Sequence, residues 1–166
     1  LVEGPMLDEI RCSSFIGRWS IPIRHSCTFG ELACYFASTR VRNLNLKIVK
    51  VQNWKRESVT QRSWLFIPPS PAIADEETVL LYPGMGLLEG INVNEGRGSE
   101  FPFKIFGAPW VNTAEIISAF QNLQFPGITA TPYSYKSSFG PYMDEQCHGL
   151  ELHVTNTRVF RPVQMG

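Results

Sequence analysis

The residues best placed to do chemistry lie in one run, Glu89-Gly90-Ile91-Asn92-Val93-Asn94-Glu95-Gly96-Arg97-Gly98. Two carboxylates, two side-chain amides and one arginine fall among three glycines. Glycine lets a backbone approach a ligand closely and take positive φ. A guanidinium is a planar fork that can hold a carboxylate through two parallel hydrogen bonds. Such a loop can grip an anionic ligand while presenting acids to it, and loops on a rigid scaffold often carry sites. The same composition also suits a solvated turn whose Asn and Glu side chains cap neighbouring elements.

A second cluster, Ile21-Pro22-Ile23-Arg24-His25-Ser26-Cys27-Thr28, puts Arg24 and His25 just ahead of a helix N-terminus. Free N–H groups at a helix start favour an anion, although a surface arginine and a hydrogen-bonded structural histidine fit the same residues.

Other patterns carry less. Gly84-Met85-Gly86 with Gly90 has the spacing G-x-G-x-x-x-G, and no Gly-Lys-Ser/Thr follows to clamp a phosphate, so a nucleotide loop is rejected. Cys27 with His25 lacks the local signatures of a thiol nucleophile. Ser70 has no nucleophile-elbow glycines. His148 and His153 are five apart on an expected strand and so face opposite ways, and no zinc spacing is present. No metal or cofactor is expected. Cys27 and Cys34 lie seven residues apart in an expected helix, about 10 Å along its axis and beyond the roughly 7 Å a disulfide spans. All four cysteines are read as buried thiols.

The elements that must position these groups follow from periodicity and turn residues. Residues 1–27, with Gly4-Pro5, Ser13-Ser14 and Ile21-Pro22-Ile23, read as an irregular entry segment. Thr28 and Glu31 form a capping box. Phe29, Leu32, Ala33 and Phe36 then make one apolar stripe. Residues 44–51 alternate like a half-buried strand, and 54–74, with Pro68-Pro69-Ser70-Pro71, cannot be regular throughout. Residues 78–82 read as a short buried strand ended by Pro83-Gly84, followed by a short helix carrying Leu87, Leu88 and Glu89. A strand is expected at 101–106. A helix from Asn112 or Thr113 should bury Ile116, Ile117, Phe120 and Leu123 before Pro126-Gly127. Strands are expected again at 128–135 and 150–155, around a loop rich in Gly, Pro and aromatics. The sum is a mixed α/β fold of α+β layers in a single domain, 1–166, with no repeats.

Composition narrows the partners. Hydrophobic residues at 43% and charged residues at 18% describe a globular chain. Fifteen basic residues balance fifteen acidic ones, so no net field steers the chain to nucleic acid or anionic lipid. No apolar stretch approaches the roughly 20 residues of a membrane span. Aromatics reach 12% and many flank Gly or Pro, where they can form platforms for sugars or bases, although core packing accounts for most of them.

Taken in order, these segments resemble a known family. Val2-Glu3-Gly4-Pro5, Phe15-Ile16-Gly17, Ile21-Pro22-Ile23-Arg24-His25 and Thr28-Phe29-Gly30-Glu31-Leu32-Ala33 are similar to the YbbC/NamZ-like exo-β-N-acetylmuramidases, long grouped as a domain of unknown function. So are Trp54-Lys55-Arg56, Pro69-Ser70-Pro71, Leu81-Tyr82-Pro83-Gly84 and the 89–98 loop. Phe106-Gly107-Ala108-Pro109-Trp110, His153-Val154-Thr155 and Phe160-Arg161-Pro162-Val163 complete the likeness. The chain departs from the family's pattern at Ser26, Ala72, Ile91 and Asn94, where the family tends to carry Gly, Asn, Thr and Ser.

The resemblance implies the central to C-terminal part of a larger two-domain protein, whose Rossmann-like N-terminal half lies outside these residues. It implies removal of terminal N-acetylmuramic acid from peptidoglycan fragments in bacterial cell-wall turnover, outside the cytoplasm, with muramyl saccharides as partners. The 166 residues alone are then expected to lack part of the catalytic machinery. Muramic acid differs from glucosamine by a lactyl carboxylate, which a cationic fork can recognise. On this reading Arg97, or in second place Arg24, grips the lactate, and Glu89 is a catalytic carboxylate of the kind such hydrolysis requires. Asn92 and His25 hold hydroxyl or N-acetyl groups, with Glu95 among the binding positions. The competing reading is a non-catalytic glycan-binding or structural remnant of that enzyme.

Overall fold

The computed structural model describes residues 2–56 and 66–166, which fall into two compact units. One comprises Leu1–Val2 and His25–Leu65, the other Glu3–Arg24 and Phe66–Gly166.

In the first unit the capping box forms as read. Thr28 Oγ1 accepts from Glu31 N at 3.2 Å and Glu31 Oε2 accepts from Thr28 N at 2.7 Å, which starts helix α1, Phe29–Thr39. Arg56 clasps this start: its Nη2 donates to both Glu31 oxygens at 2.7 and 2.8 Å and its Nη1 to the Ser26 carbonyl at 2.6 Å. Leu32, Ala33 and Phe36 are half-buried, but Phe29 at the first position is 93% exposed, so the expected stripe is covered only in part. Residues 44–51 do not form the expected strand. Alternation supplies a face, but a strand needs a partner ladder as well, and none is formed there among the described residues. Part of the 54–74 expectation falls on 57–65, outside the described residues; 67–74 is irregular, as its prolines require.

The second unit holds every buried residue among those described, all between Thr78 and Pro162. Its centre is an antiparallel sheet in the order β3-β5-β4, with β3 Ile105–Ala108, β4 Ile128–Lys136 and β5 Gln146–Val154. The alternation along β5 feeds two cores. Leu152 joins Ile128, Leu81, Met85, Phe103 and Phe160 on one face, while Cys147 joins Ile105 and Tyr135 on the other. The strand expected at 101–106 begins only at Ile105, because Phe101 to Lys104 form a turn whose Phe103 takes φ 59.

Residues 78–82 are helical, correcting the strand reading: α2 runs Glu76–Met85. Asp75 caps it by accepting from Thr78 N at 2.9 Å, two glutamates follow in its first turn, and the buried positions Thr78, Leu81 and Met85 keep helical spacing. The β-branched pair Thr78-Val79 and Pro83 concealed that period. Pro83 stays within the helix, and Gly84 lets it meet a short helix α4, Pro162–Met165: a Cβ at Gly84 would lie 2.0 Å from the Pro162 carbonyl oxygen. Lys104 ties the α2 start to the sheet through Asp75 at 2.7 Å and Glu77 at 3.0 Å. Burial alone would lower its pKa, but these two hydrogen bonds raise it.

Helix α3, Thr113–Leu123, begins at Asn112 as read and ends at Gln124 in the left-handed region. Phe120 packs on the core; Leu123, expected inside, is 63% exposed. Within 1–27, expected to be irregular, β1 Glu3–Met6 pairs with β2 Pro22–Arg24 in a small ribbon. Of the cysteines only Cys147 is buried. Cys12, Cys27 and Cys34 are exposed, because the segments that carry them contribute nothing to either core.

Candidate functional site

The 89–98 loop is reached from α2 through a 3-10 turn, Gly86–Gly90, and is then fixed by a fully buried amide. Asn94 Oδ1 accepts from Gly96 N at 2.8 Å and from the Tyr135 hydroxyl at 2.9 Å. Its Nδ2 faces the carbonyls of Arg97, Phe139 and Pro141 at 3.4, 3.5 and 3.2 Å. Its backbone bridges Gly107 of β3 in both directions, at 2.8 and 2.9 Å. Gly96 follows at φ +85, with Phe101 O only 2.7 Å from where a Cβ would stand. Ser137 Oγ and Ser138 N hold the loop's far side through the carbonyls of Arg97 and Gly98, at 2.7 and 2.9 Å. Burial, then the neighbouring Cys147 and Glu95, push the Tyr135 phenol well above its ordinary range, so it remains a neutral donor.

On this frame three of the expected site residues meet. Arg97 Nε bonds Glu95 Oε1 at 2.5 Å and its Nη2 pairs with Glu89 Oε2 at 2.8 Å. The guanidinium carbon lies 5.4 Å from the Phe103 ring centroid, within cation–π range. The two acids differ in exposure: the Glu95 side chain is 5% exposed, that of Glu89 41%, and that of Arg97 37%. Glu95 is therefore a buried brace that fixes the plane of the fork, and Glu89 is a partner at the solvent edge. The Glu95 hydrogen bond, outweighing burial, raises the Arg97 pKa and keeps it cationic.

Asn92, on the same loop, is exposed and accepts from the Tyr142 hydroxyl at 2.6 Å. That hydroxyl in turn accepts from Trp110 Nε1 at 3.0 Å. Sequence reasoning passed over Tyr142, Trp110 and Ser137. Their traces were present in Pro109-Trp110 and in the Gly-, Pro- and aromatic-rich stretch between β4 and β5.

The remaining two candidates are placed elsewhere. Arg24 pairs with Glu3 at 3.4 Å across the ribbon, and Glu3 also accepts from Gln164 N at 2.9 Å, so Arg24 is engaged in joining the ribbon to α4. His25 belongs to the other unit, where its Nδ1 accepts from Cys27 N at 3.1 Å. The β5 register turns His148 and His153 to opposite faces, with Ser134 and Thr131 as their partners at 2.9 and 3.1 Å.

The four departures from the family's pattern also gain places. Ser26 has φ 56, a left-handed position that glycine takes without cost. Ala72 packs against the core, Ile91 is exposed, and Asn94 is the buried clasp.

Comparison with known proteins places the chain. Residues 80–166 match the model of the exo-β-N-acetylmuramidase NamZ C-terminal region, and residues 1–77 match that of its N-terminal region. The chain is 37% identical over 166 residues to the peptidoglycan β-N-acetylmuramidase NamZ of Bacillus subtilis, covering 99% of the chain and 40% of that relative. A crystal structure of a DUF1343 family protein from Bacteroides fragilis superposes with TM-score 0.90 at 26% identity, over 99% of this chain and 44% of that one. A second DUF1343 protein from the same organism gives TM-score 0.69 at 27% identity, over 90% of this chain and 39% of that one. The chain thus spans less than half the length of these relatives. The chain belongs to the NamZ exo-β-N-acetylmuramidase family.

Proposed function

We propose that the chain supplies the muramic-acid-recognising wall of a glycoside hydrolase that removes terminal N-acetylmuramic acid from peptidoglycan fragments outside the cytoplasm. Membership of the family supports the reaction class. The observation that carries the assignment of residues is the asymmetric bracing of Arg97, with a buried carboxylate on Nε and an exposed one on Nη2. An incoming lactyl carboxylate displaces Glu89 from the exposed edge and takes the fork in a two-point bond, while Glu95 keeps the fork in plane. Glu89, once displaced, is the carboxylate this wall contributes to hydrolysis. Asn92 offers its Nδ2 to a hydroxyl or N-acetyl oxygen, since its Oδ1 is already held by Tyr142. Arg24, engaged by Glu3, is left out of the grip.

The test uses inhibition of a full-length relative such as the Bacillus subtilis enzyme, with lysine at the position matching Arg97. Losing a bidentate charged bond costs about 1.5–3 kcal/mol. N-acetylmuramic acid should therefore inhibit about tenfold to a hundredfold more weakly, with N-acetylglucosamine little changed. Equal losses on both sugars remove the lactyl role.

A further inference from the structure

Trp110 is 61% exposed, and its indole N–H is nonetheless held, 3.0 Å from the Tyr142 hydroxyl. That hydroxyl donates to Asn92 Oδ1 at 2.6 Å, so the ring is tethered to the same loop that carries Arg97. Tyr142 itself has φ 61, a conformation unfavourable for a bulky residue. Backbone strain of this kind persists where the surroundings fix it, and it gathers at ligand-binding positions. A largely exposed ring whose N–H is held by a hydrogen bond is preorganised and loses little side-chain entropy on binding a ligand.

We propose that Trp110 is a stacking platform for a second pyranose of the saccharide, and that Tyr142 is the positioning residue that sets its plane. Trp110, Tyr142 and Asn92 are all uncharged. The sugar they take is therefore neutral, an N-acetylglucosamine unit, in contrast to the acid-bearing sugar assigned to Arg97. The apolar C–H face of the pyranose covers the indole, and its polar substituents meet the Asn92 amide at the rim. This inference rests on the saccharide reading above and is tested separately from the lactyl grip.

The experiment is calorimetric titration of the 166-residue chain with N,N′-diacetylchitobiose, which carries no carboxylate, and with N-acetylmuramic acid. Trp110→Ala should weaken chitobiose about tenfold, and Trp110→Phe, which keeps an aromatic face, should stay within about threefold of the parent. Tyr142→Phe should weaken chitobiose in the parent chain and add clearly less in the Trp110→Ala background, a coupling that a merely structural role would not produce. Circular dichroism of each variant confirms that it is folded. Arg97→Lys should leave chitobiose unchanged and weaken only N-acetylmuramic acid. Failure of that arm alone removes the lactyl grip and leaves the platform. Absence of chitobiose binding by the parent chain, unchanged affinity in Trp110→Ala, or additive losses in the double variant overturn the platform.

Discussion

Replacing Asn94 by alanine tests the frame on which the loop's chemistry depends. The side chain is fully buried and reaches five groups. Alanine strands the Gly96 N–H, whose acceptor was 2.8 Å away, and the Pro141 carbonyl, whose donor was 3.2 Å away. The Tyr135 hydroxyl is spared, because the Asn94 backbone carbonyl lies 3.0 Å from it. One stranded buried N–H at about 1–3 kcal/mol, with the lost bond to the part-buried Pro141 carbonyl at about 0.5–1.5 kcal/mol, gives a loss of about 2–4 kcal/mol. Urea unfolding followed by circular dichroism and tryptophan fluorescence measures it, with an unchanged m-value expected if only the folded state is affected. Asn94→Asp keeps the shape but has no N–H to give the three carbonyls, so it should lose at least as much. A loss under about 1 kcal/mol for either variant would refute the reasoning, since it would mean that water or neighbouring groups satisfy the clasp.

Three further outcomes follow from local geometry. Gly84→Ala should destabilise the chain by about 3 kcal/mol in the same urea assay, because the clash is with the backbone of α4 and no side chain can move to relieve it. Ser26→Gly should stabilise by about 0.5–1 kcal/mol by removing left-handed strain at φ 56. Glu31 has its pKa lowered from the ordinary 4.5 to about 2, chiefly by its Arg56 hydrogen bonds. Because the folded value is depressed, its stabilising contribution is present above the ordinary value and fades as pH falls from 4.5 through about 2. Carboxyl-carbon NMR titration should show that low value in the parent chain and a return toward 4.5 in Arg56→Gln.

The parts of the fold legible in the sequence were those signalled by local chemistry. Thr28 with Glu31, and Asn112 ahead of its apolar positions, announced helix starts through hydrogen bonds that side chains make within one turn. Long alternating stretches announced β4 and the later part of β5. What failed depended on distant partners. Residues 44–51 alternate, yet pairing is decided by whether another strand is present. Residues 78–82 are β-branched and apolar in a helix whose identity was carried by Asp75, one residue ahead of it. Phe29 was assigned to an apolar stripe by helical spacing and the three exposed cysteines to a core by residue type, although the buried residues described are all drawn from 78–162.

The candidate site divides the same way. Glu89, Glu95 and Arg97 are near in sequence, and the glycine between the last two lets the chain fold back, so their meeting could be anticipated. Which acid is buried could not, because the Glu95 carbonyl is held by Phe103 N and the adjoining Asn94 by Tyr135 of β4, 41 positions away in the chain. Tyr142 reaches Asn92 across 50 residues, a contact that only the β4–β5 hairpin makes.

The most direct test of Arg97 as the grip on the lactyl group is the Nε–Hε resonance of Arg97 in the 166-residue chain, identified by its loss in Arg97→Lys and followed as sugars are added. Saturating N-acetylmuramic acid should shift that resonance, and its methyl ester and N-acetylglucosamine should leave it in place. A resonance unmoved by N-acetylmuramic acid, or moved equally by all three sugars, contradicts the account.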